Sequence, residues 1–248
     1  MEKRFFIDSE SINNNQIILS GDEHMHLSKV LRLRVGDEVE CFTNNSDIYQ
    51  AKIDLITKQN STLTIVGSSE CTSNPIVNLT LFQGLPKLDK LELITQKLTE
   101  MGITTIIPFS STFCVAKENL NKIDRLNKII VSACKQCGRT LLTKVENPIK
   151  FKELLQQTQN YDLVLFANET ESNQTLHQII KDAKNKFGNK DLKVAYIIGS
   201  EGGFSKEEIE SLSQMQNVHS ISLGKRILRT ETASIALGGI LLYELGEI

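Results

Sequence analysis

The sequence predicts an α/β protein in two parts: a small N-terminal β-barrel over residues 1–72, then a larger domain over residues 73–248 built on a parallel sheet. Three observations predict this. Short β-prone runs, each bounded by turn formers, crowd the first seventy positions. After Pro75, apolar strands alternate with amphipathic helices. The runs at 161–167 and 193–198 are apolar without alternation, as strands covered on both faces are.

The barrel strands are read as Arg4–Ile7, Gln16–Leu19, Glu38–Phe42, Tyr49–Ile53 and Ser61–Val66. They are separated by Gly21-Asp22, Gly36-Asp37, Asn44-Asn-Ser-Asp47 and Gln59-Asn60, with one short helix over Asp22–Leu31. Cys71–Pro75 reads as a linker. Ile76–Phe82 is then a strand, and Leu88, Leu91, Ile94, Leu98 and Met101 mark one face of a helix that Gly102 ends. The remaining order is strand Ile103–Pro108, helix Ile123–Cys137, strands Tyr161–Ala167 and Lys193–Ile198, helix Ser205–Met215, strand Val218–Leu223 and helix Glu231–Leu242.

Composition narrows the class. The polar start and the lack of any run of about 20 apolar residues argue against a secretory signal or a membrane span, so the expected location is the cytoplasm. Five cysteines in such a chain read as free thiols. Cys134-x-x-Cys137 lacks a second ligand pair, and His24 with His26 is too small a set, so no metal is expected. The net charge of −2 hides an uneven distribution: residues 73–152 carry twelve basic against six acidic side chains, while the flanking segments are acidic. Such a segment is either a solvated helix surface or a strip facing phosphates.

Two late loops carry the chemistry. Gly199-Ser-Glu-Gly-Gly-Phe204 leads from a strand into a helix, with Ser205 and Glu208 placed as a capping box. Ser222-Leu-Gly-Lys-Arg-Ile-Leu-Arg-Thr-Glu-Thr-Ala-Ser234 leaves the next strand, with Thr230 placed to cap the last helix. Each alone is a tight turn as readily as a site. Two at neighbouring strand ends suggest one pocket beyond the carboxyl edge of the sheet, where open α/β sheets bind ligands. Ile227 and Leu228 offer apolar walls suited to an adenine ring. No phosphate-cradling G-x-x-x-x-G-K-[ST] is present, nor a G-x-G-x-x-G after the first strand of the sheet, so the commoner nucleotide folds do not fit.

The pair Ile198-Gly-Ser-Glu-Gly-Gly-Phe204 and Leu223-Gly-Lys-Arg-Ile-Leu-Arg-Thr-Glu-Thr-Ala233 resembles the signature of the trefoil-knot (SPOUT) methyltransferases. Within that class the chain closely resembles the bacterial 16S rRNA (uracil-N3)-methyltransferases, the RsmE family. His26–Asp37, Leu85–Gly102 and Ala133–Arg139 fit the same family. The chain departs from it at Ser200, where Pro is usual, and at Asn44–Asp47, where Asp-Gly is usual.

The resemblance implies a PUA-like barrel followed by a knotted domain, S-adenosyl-L-methionine as methyl donor, and a homodimer with the site at the subunit interface. It implies N3 of one uridine near the decoding centre of small-subunit 16S rRNA as target. The cofactor set becomes Phe166, Ala167, Ile198, Gly199, Gly202, Gly203, Leu223, Gly224, Ile227, Leu228, Thr232 and Ala233. Arg229 is expected to hold O2 or O4 of the uracil anion through its planar fork. Glu201 is the nearest candidate base, or else a loop-stabilising acceptor. RNA contacts are expected among Arg4, His26, Lys29, Arg32, Lys87, Lys90, Gln136, Arg139 and Arg226, mostly to phosphates. The rival readings are a knotted ribose 2′-O-methyltransferase and a non-catalytic ribosome-assembly module, the second having no need of the glycine loops.

Overall fold

The computed structural model describes residues 3–115, 121–168, 175–187 and 192–248. They divide into two compact units. The first is Met1–Asn74 with Val131–Leu142, and the second is Pro75–Ile130 with Thr143–Ile248. The segment 131–142, read from sequence as part of the larger domain, thus belongs with the β-rich unit.

The first unit is a six-stranded sheet of β1 (Arg4–Phe6), β2 (Ile12–Asn13), β3 (Gln16–Ser20), β4 (Glu38–Phe42), β5 (Asp47–Ile56) and β6 (Asn60–Glu70), in the order β1-β4-β5-β6-β3-β2. All pairings are antiparallel except β1 with β4. The path runs open from β1 to β2, a half-barrel. Alternate residues such as Ile17, Leu19, Val39, Cys41, Ile53 and Leu63 point into one core with Phe5 and Leu27. The expected helix over 22–31 is α1 (Gly21–Met25) followed by a wider π-turn over His26–Val30. At the unusual Asn44–Asp47 turn, Asn45 Oδ1 accepts from the Asp47 N–H (2.7 Å) and from Thr43 Oγ1 (2.6 Å). The Asn side chain thus holds the turn without a glycine.

Cys41 is fully buried in this core. Burial first, and then the nearby Glu23 and Glu40 carboxylates, push its thiol up to about 12. A thiol so held stays protonated and inert at neutral pH. Alkylation with iodoacetamide at pH 8 is expected to label the half-buried Cys114 and Cys137 and to leave Cys41 unmodified until the protein unfolds. Labelling of Cys41 at the same rate as Cys137 in the folded protein would contradict this.

The second unit is a seven-stranded sheet, parallel throughout. In chain order it comprises β7 (Leu79–Gly84), α2 (Lys90–Met101), β8 (Thr105–Ser110), α3 (Asn121–Cys137, running on into the first unit), β9 (Lys144–Val145), β10 (Ile149–Lys150) and α4 (Phe151–Gln157). β11 (Leu163–Ala167), α5 (Leu176–Phe187), β12 (Val194–Ile198), α6 (Lys206–Ser213), β13 (Val218–Ile221) and α7 (Thr230–Leu245) complete it. The strand order is β10-β8-β7-β12-β11-β13, with β9 also paired to β8. β7, β11 and β12 are buried on both faces, which is why their sequences do not alternate. One face packs on α2, α5 and α7 through Leu98, Ile180, Leu237 and Leu241, and the other packs through Phe82, Phe109, Phe166, Leu154 and Leu212. Gly102 closes α2 with φ 108°, as expected, its N–H donating to Leu98 O (3.1 Å).

Candidate active site

Two glycine-rich turns leave the sheet at its carboxyl edge. β12 ends at Ile198, and the chain doubles back at once, the Gly203 N–H donating to Ser200 O (3.0 Å) with Gly203 at φ 67°. Ser205 then starts α6 with the expected capping box: the Glu208 N–H donates to Ser205 Oγ (3.3 Å) and the Ser205 N–H to Glu208 Oε2 (2.9 Å). β13 ends at Ile221, and Gly224 turns the chain at φ 99°. The strands carrying the loops are not neighbours as expected, because β11 lies between β12 and β13. Three consecutive strand ends therefore frame the site, β11 contributing Ala167 and Asn168.

The loops enclose a cavity of about 600 Å³, inside the range of small-molecule sites. Of the residues read from sequence, Ala167, Ile198, Gly199, Gly202, Gly203, Leu223, Gly224, Ile227, Leu228 and Ala233 line it, as do Glu201, Arg226 and Arg229. Phe166 and Thr232 do not. Phe166 is fully buried beneath the site, its ring edge-on to Phe204 (5.9 Å), and Thr232 faces outward on α7. The sequence reading missed Ser200, Phe204, Ile209, Ser222 and Thr230, which also line the cavity.

The two loops are locked together by hydrogen bonds that are buried or half-buried. Thr230 Oγ1 donates to Gly199 O (2.7 Å) and accepts from Gln83 Nε2 (3.0 Å). Gln83 Oε1 in turn accepts from Ser234 Oγ, which also lies 2.8 Å from Thr230 O. Thr230 was expected to cap the last helix. Instead α7 begins at Thr230, Arg229 occupies the N-cap position without a side-chain cap bond, and the Thr230 hydroxyl bridges the loops. Gln83 is wholly buried on β7, so its amide is a fixed reference for both loops. Gly84 follows it for a steric reason: a Cβ there would stand 2.4 Å from Ser200 N and 2.8 Å from Gly199 C. Ser200 itself is buried, and its Oγ has no hydrogen-bond partner among the described residues.

Glu201 sits at the rim and is already engaged. Its carboxylate accepts from the Lys87 N–H (3.1 Å) and from Lys90 Nζ (2.7 Å), and Lys90 also lies 3.4 Å from Glu231. Partial burial pulls the Glu201 carboxyl upward, but the Lys90 hydrogen bond, the backbone N–H groups and the Lys90 charge outweigh it and hold it below the usual carboxylate value. These bonds are those of the second of its two expected roles, an acceptor that holds the loop. The depressed value gives stability that is present above the unfolded pKa and lost as pH falls through the folded one. Glu201→Gln is expected to lower Tm by about 1–3 °C at neutral pH, a small effect because the pair is partly exposed. It should leave Tm unchanged in acid below the carboxylate range. An equal loss at both pH values would contradict the ion-pair reading.

The expected RNA residues separate by burial. Lys29, Arg32, Lys87, Gln136 and Arg226 are exposed. Arg4 is 4% exposed and is corrected to a structural residue: it pairs with Glu40, donates to Cys134 O (3.3 Å) and stacks over Phe42 (4.6 Å). Arg139 is 2% exposed, which withdraws it from phosphate contact. His26 is half-buried against Phe5 (5.6 Å), and Lys90 is held by the two carboxylates. His24 is buried with Nδ1 2.8 Å from Ser61 Oγ, a core pair.

Comparison with known proteins is consistent with this architecture. The RNA methyltransferase domain family matches residues 72–242, and the RNA methyltransferase PUA domain family matches residues 19–66. The ribosomal RNA small subunit methyltransferase E of Rickettsia conorii is 35% identical over 235 residues, covering 94% of this chain and 91% of its own. The Bacillus subtilis protein of the same name is 33% identical over 233 residues, covering 91% and 89%. Among solved structures, the Legionella pneumophila methyltransferase Lpg2936, in complex with the bound cofactor SAM, superimposes with a TM-score of 0.86 at 27% identity, 98% of each chain being covered. The β-rich unit is a PUA-type RNA-methyltransferase domain, the parallel-sheet unit is a methyltransferase domain, and the chain belongs to the RNA methyltransferase family that contains the ribosomal RNA small subunit methyltransferase E enzymes.

Proposed function

We propose that this protein transfers a methyl group from S-adenosyl-L-methionine to N3 of one uridine in 16S rRNA near the decoding centre, acting in the cytoplasm on small ribosomal subunits. The observation that carries the reading is the cavity closed by the β12 and β13 loops and fastened by the Thr230–Gly199 hydrogen bond. The residues fit the cofactor. Leu223, Ile227, Leu228 and Ala233 supply apolar surface for an adenine, and a Cβ at Gly203 or Gly224 would meet nothing within 4 Å, so both turns leave open backbone toward a ligand.

When bound, S-adenosyl-L-methionine supplies a methyl group on a positively charged sulfur, open to attack by a nucleophilic nitrogen. Uracil N3 becomes that nucleophile on losing its proton to solvent water at the open mouth of the cavity, which leaves negative charge shared with O2 and O4. Arg229 lines the cavity, and among the described residues its guanidinium has no carboxylate partner, so its charge is available to that anion. Stabilising that anion is the contribution to the barrier that this reading assigns to Arg229.

The homodimer and the trefoil knot belong to the same proposal. α7 supports the dimer: it buries Ala233, Leu237, Leu241 and Leu242 in the core, yet Ile240 and Tyr243 stand 45% and 70% exposed elsewhere on it. A helix apolar on more than one face is normally buried on more than one face. Light scattering is expected to give twice the chain mass.

Calorimetry tests the cofactor. The protein should bind S-adenosyl-L-methionine with one site per chain, and no heat of binding would overturn the reading. Thr230→Val keeps the shape and removes the bridging hydroxyl. It is expected to weaken cofactor binding about tenfold, since it removes the donor to Gly199 O and the acceptor of one Gln83 Nε2 hydrogen, the other Gln83 bonds to Gly84 O and Ser234 Oγ remaining, with Thr230→Ser restoring it. Undiminished affinity in Thr230→Val would show that the loops need no bridge.

A further inference from the structure

Beside the cofactor cavity, on the same carboxyl edge of the sheet, lies a second, open cleft of about 520 Å³ with no part in the chemistry above. It is lined by the end of β8 and the following loop (Ser110, Ser111, Thr112), the start of α4 (Lys150, Lys152) and the start of α6. Lys150 and Lys152 are exposed, and among the described residues neither ammonium pairs with a carboxylate, the Lys150 backbone N–H alone donating to Glu153 Oε2 (3.2 Å). The Ser111 Oγ is buried and has no hydrogen-bond partner among the described residues. Two carboxylates also border the cleft. Glu208 is already bonded to the Thr112 N–H (2.9 Å), Thr112 Oγ1 (3.1 Å) and the Ser205 N–H, and Glu207 is exposed on α6.

The loop that borders this cleft also reaches the cofactor loop. Phe113 follows Thr112 directly, and a Cβ on Gly202 would stand 2.6 Å from Phe113 Cβ and 2.8 Å from Phe113 O, so the two loops touch backbone to backbone. Yet Phe113 is 50% exposed, and Val115 is 72% exposed. Phe113 and Val115 thus present apolar surface to solvent on a loop whose backbone Glu208 holds at Thr112. Unpaired lysines in a cleft next to an exposed ring are the combination that takes single-stranded nucleic acid, the cations meeting phosphates and the ring a base face.

We propose that this strip, Phe113 with Lys150 and Lys152, is a binding site for single-stranded RNA flanking the target nucleotide. Phe113 stacks on an unpaired base next to the one entering the cavity, and the two lysines hold neighbouring phosphates. The proposal rests on the RNA-methyltransferase reading and adds to it the part of the catalytic domain that grips the strand. It also gives the basic stretch 73–152 a definite point of use, at residues other than those singled out from sequence.

The test uses the full-length protein and a fluorescein-labelled, uridine-containing single-stranded oligoribonucleotide, with Kd measured over a range of salt. Phe113→Ala is expected to weaken binding about tenfold with the salt slope unchanged, and Phe113→Trp to restore it. The double change K150Q/K152Q is expected to weaken binding and to lower the slope of log K against log salt by about 1–2, the signature of lost phosphate contacts. S-adenosyl-L-methionine affinity and Tm should stay at wild-type values in all three, which separates loss of an RNA contact from damage to the fold. Variants that bind the RNA with wild-type affinity and slope overturn the strip alone. A wild-type protein that binds the cofactor but no RNA overturns the strip together with the substrate reading.

Discussion

Arg229→Ala is expected to abolish methylation of small-subunit particles while leaving S-adenosyl-L-methionine binding within about tenfold of wild type. Arg229 lies at the junction of the β13 loop and α7, in an extended conformation, and its carbonyl accepts the first helical bond from Ala233 N–H (2.8 Å). That bond is made by the backbone, so an alanine keeps it and the helix start survives. What alanine removes is a cation lining the cavity where the uracil anion would develop. Loss of one preorganised donor to an anion typically costs about 10²–10³ in rate, and loss of a full charge at the reacting centre costs more. Arg229→Lys should recover only part of it, because a point charge cannot span two acceptors as a fork can. Turnover by Arg229→Ala within a few-fold of wild type would remove Arg229 from the chemistry.

Gly84→Ala should eliminate cofactor binding, by at least about a hundredfold, through a residue that lies outside the lining of the cavity. The added methyl would fall 2.4 Å from Ser200 N and 2.8 Å from Gly199 C, both backbone atoms. A flexible side chain could swing aside, but these atoms are held by the Thr230 bond to Gly199 O and by the turn from Ser200 O to Gly203. The β12 loop has to move as a unit, away from the Gln83–Thr230 bridge, and the cavity loses its wall. Overpacking of this kind costs roughly 1–3 kcal/mol of stability as well, so Tm should fall by several degrees. Gly203→Ala, in open space but at positive φ, serves as the comparison: it should cost about 1 kcal/mol of strain and leave binding measurable. If Gly84→Ala bound the cofactor normally, the β7 end would have no part in seating the loop.

The alternation of strands and helices was legible from residue 76 onward because apolar periodicity is a local signal. The helix over Leu91, Ile94 and Leu98, the glycine stop at Gly102 and the capping box at Ser205 appear where their sequence chemistry places them, but Leu88, read as the start of that face, lies before the helix at φ 58° and is exposed. The edge strands Lys144–Val145 and Ile149–Lys150 carry two residues each, too few for a period to register. Leu176, Ile179, Ile180 and Ala183 did carry a helical period, and α5 was readable there, though the sequence reading passed over it.

At the site, the glycines and apolar walls were legible because two glycine turns follow strands late in the chain, whereas either turn alone is ambiguous. The position of β11 between β12 and β13 was not, since strand order is set by crossovers and leaves no mark on the strands themselves. Partners were also hidden. Arg4 looks like a phosphate contact until Glu40 and Phe42 close around it, and nothing in the sequence shows that Lys90 and the Lys87 N–H hold Glu201. The bridging hydroxyl of Thr230 was mistaken for a cap because Thr at a helix start usually is one. Gln83 was not noticed, being one polar residue inside a strand. A polar side chain in a run buried on both faces was the available clue.

The most direct measurement of the central claim is the position of the methyl group. Small subunits from cells lacking this enzyme, incubated with the purified protein and S-adenosyl-L-methionine, should yield on nuclease digestion and mass spectrometry a single new methyluridine whose added mass resides on the base, at N3. A methyl found on the ribose, or no new methyl at all, would contradict the account.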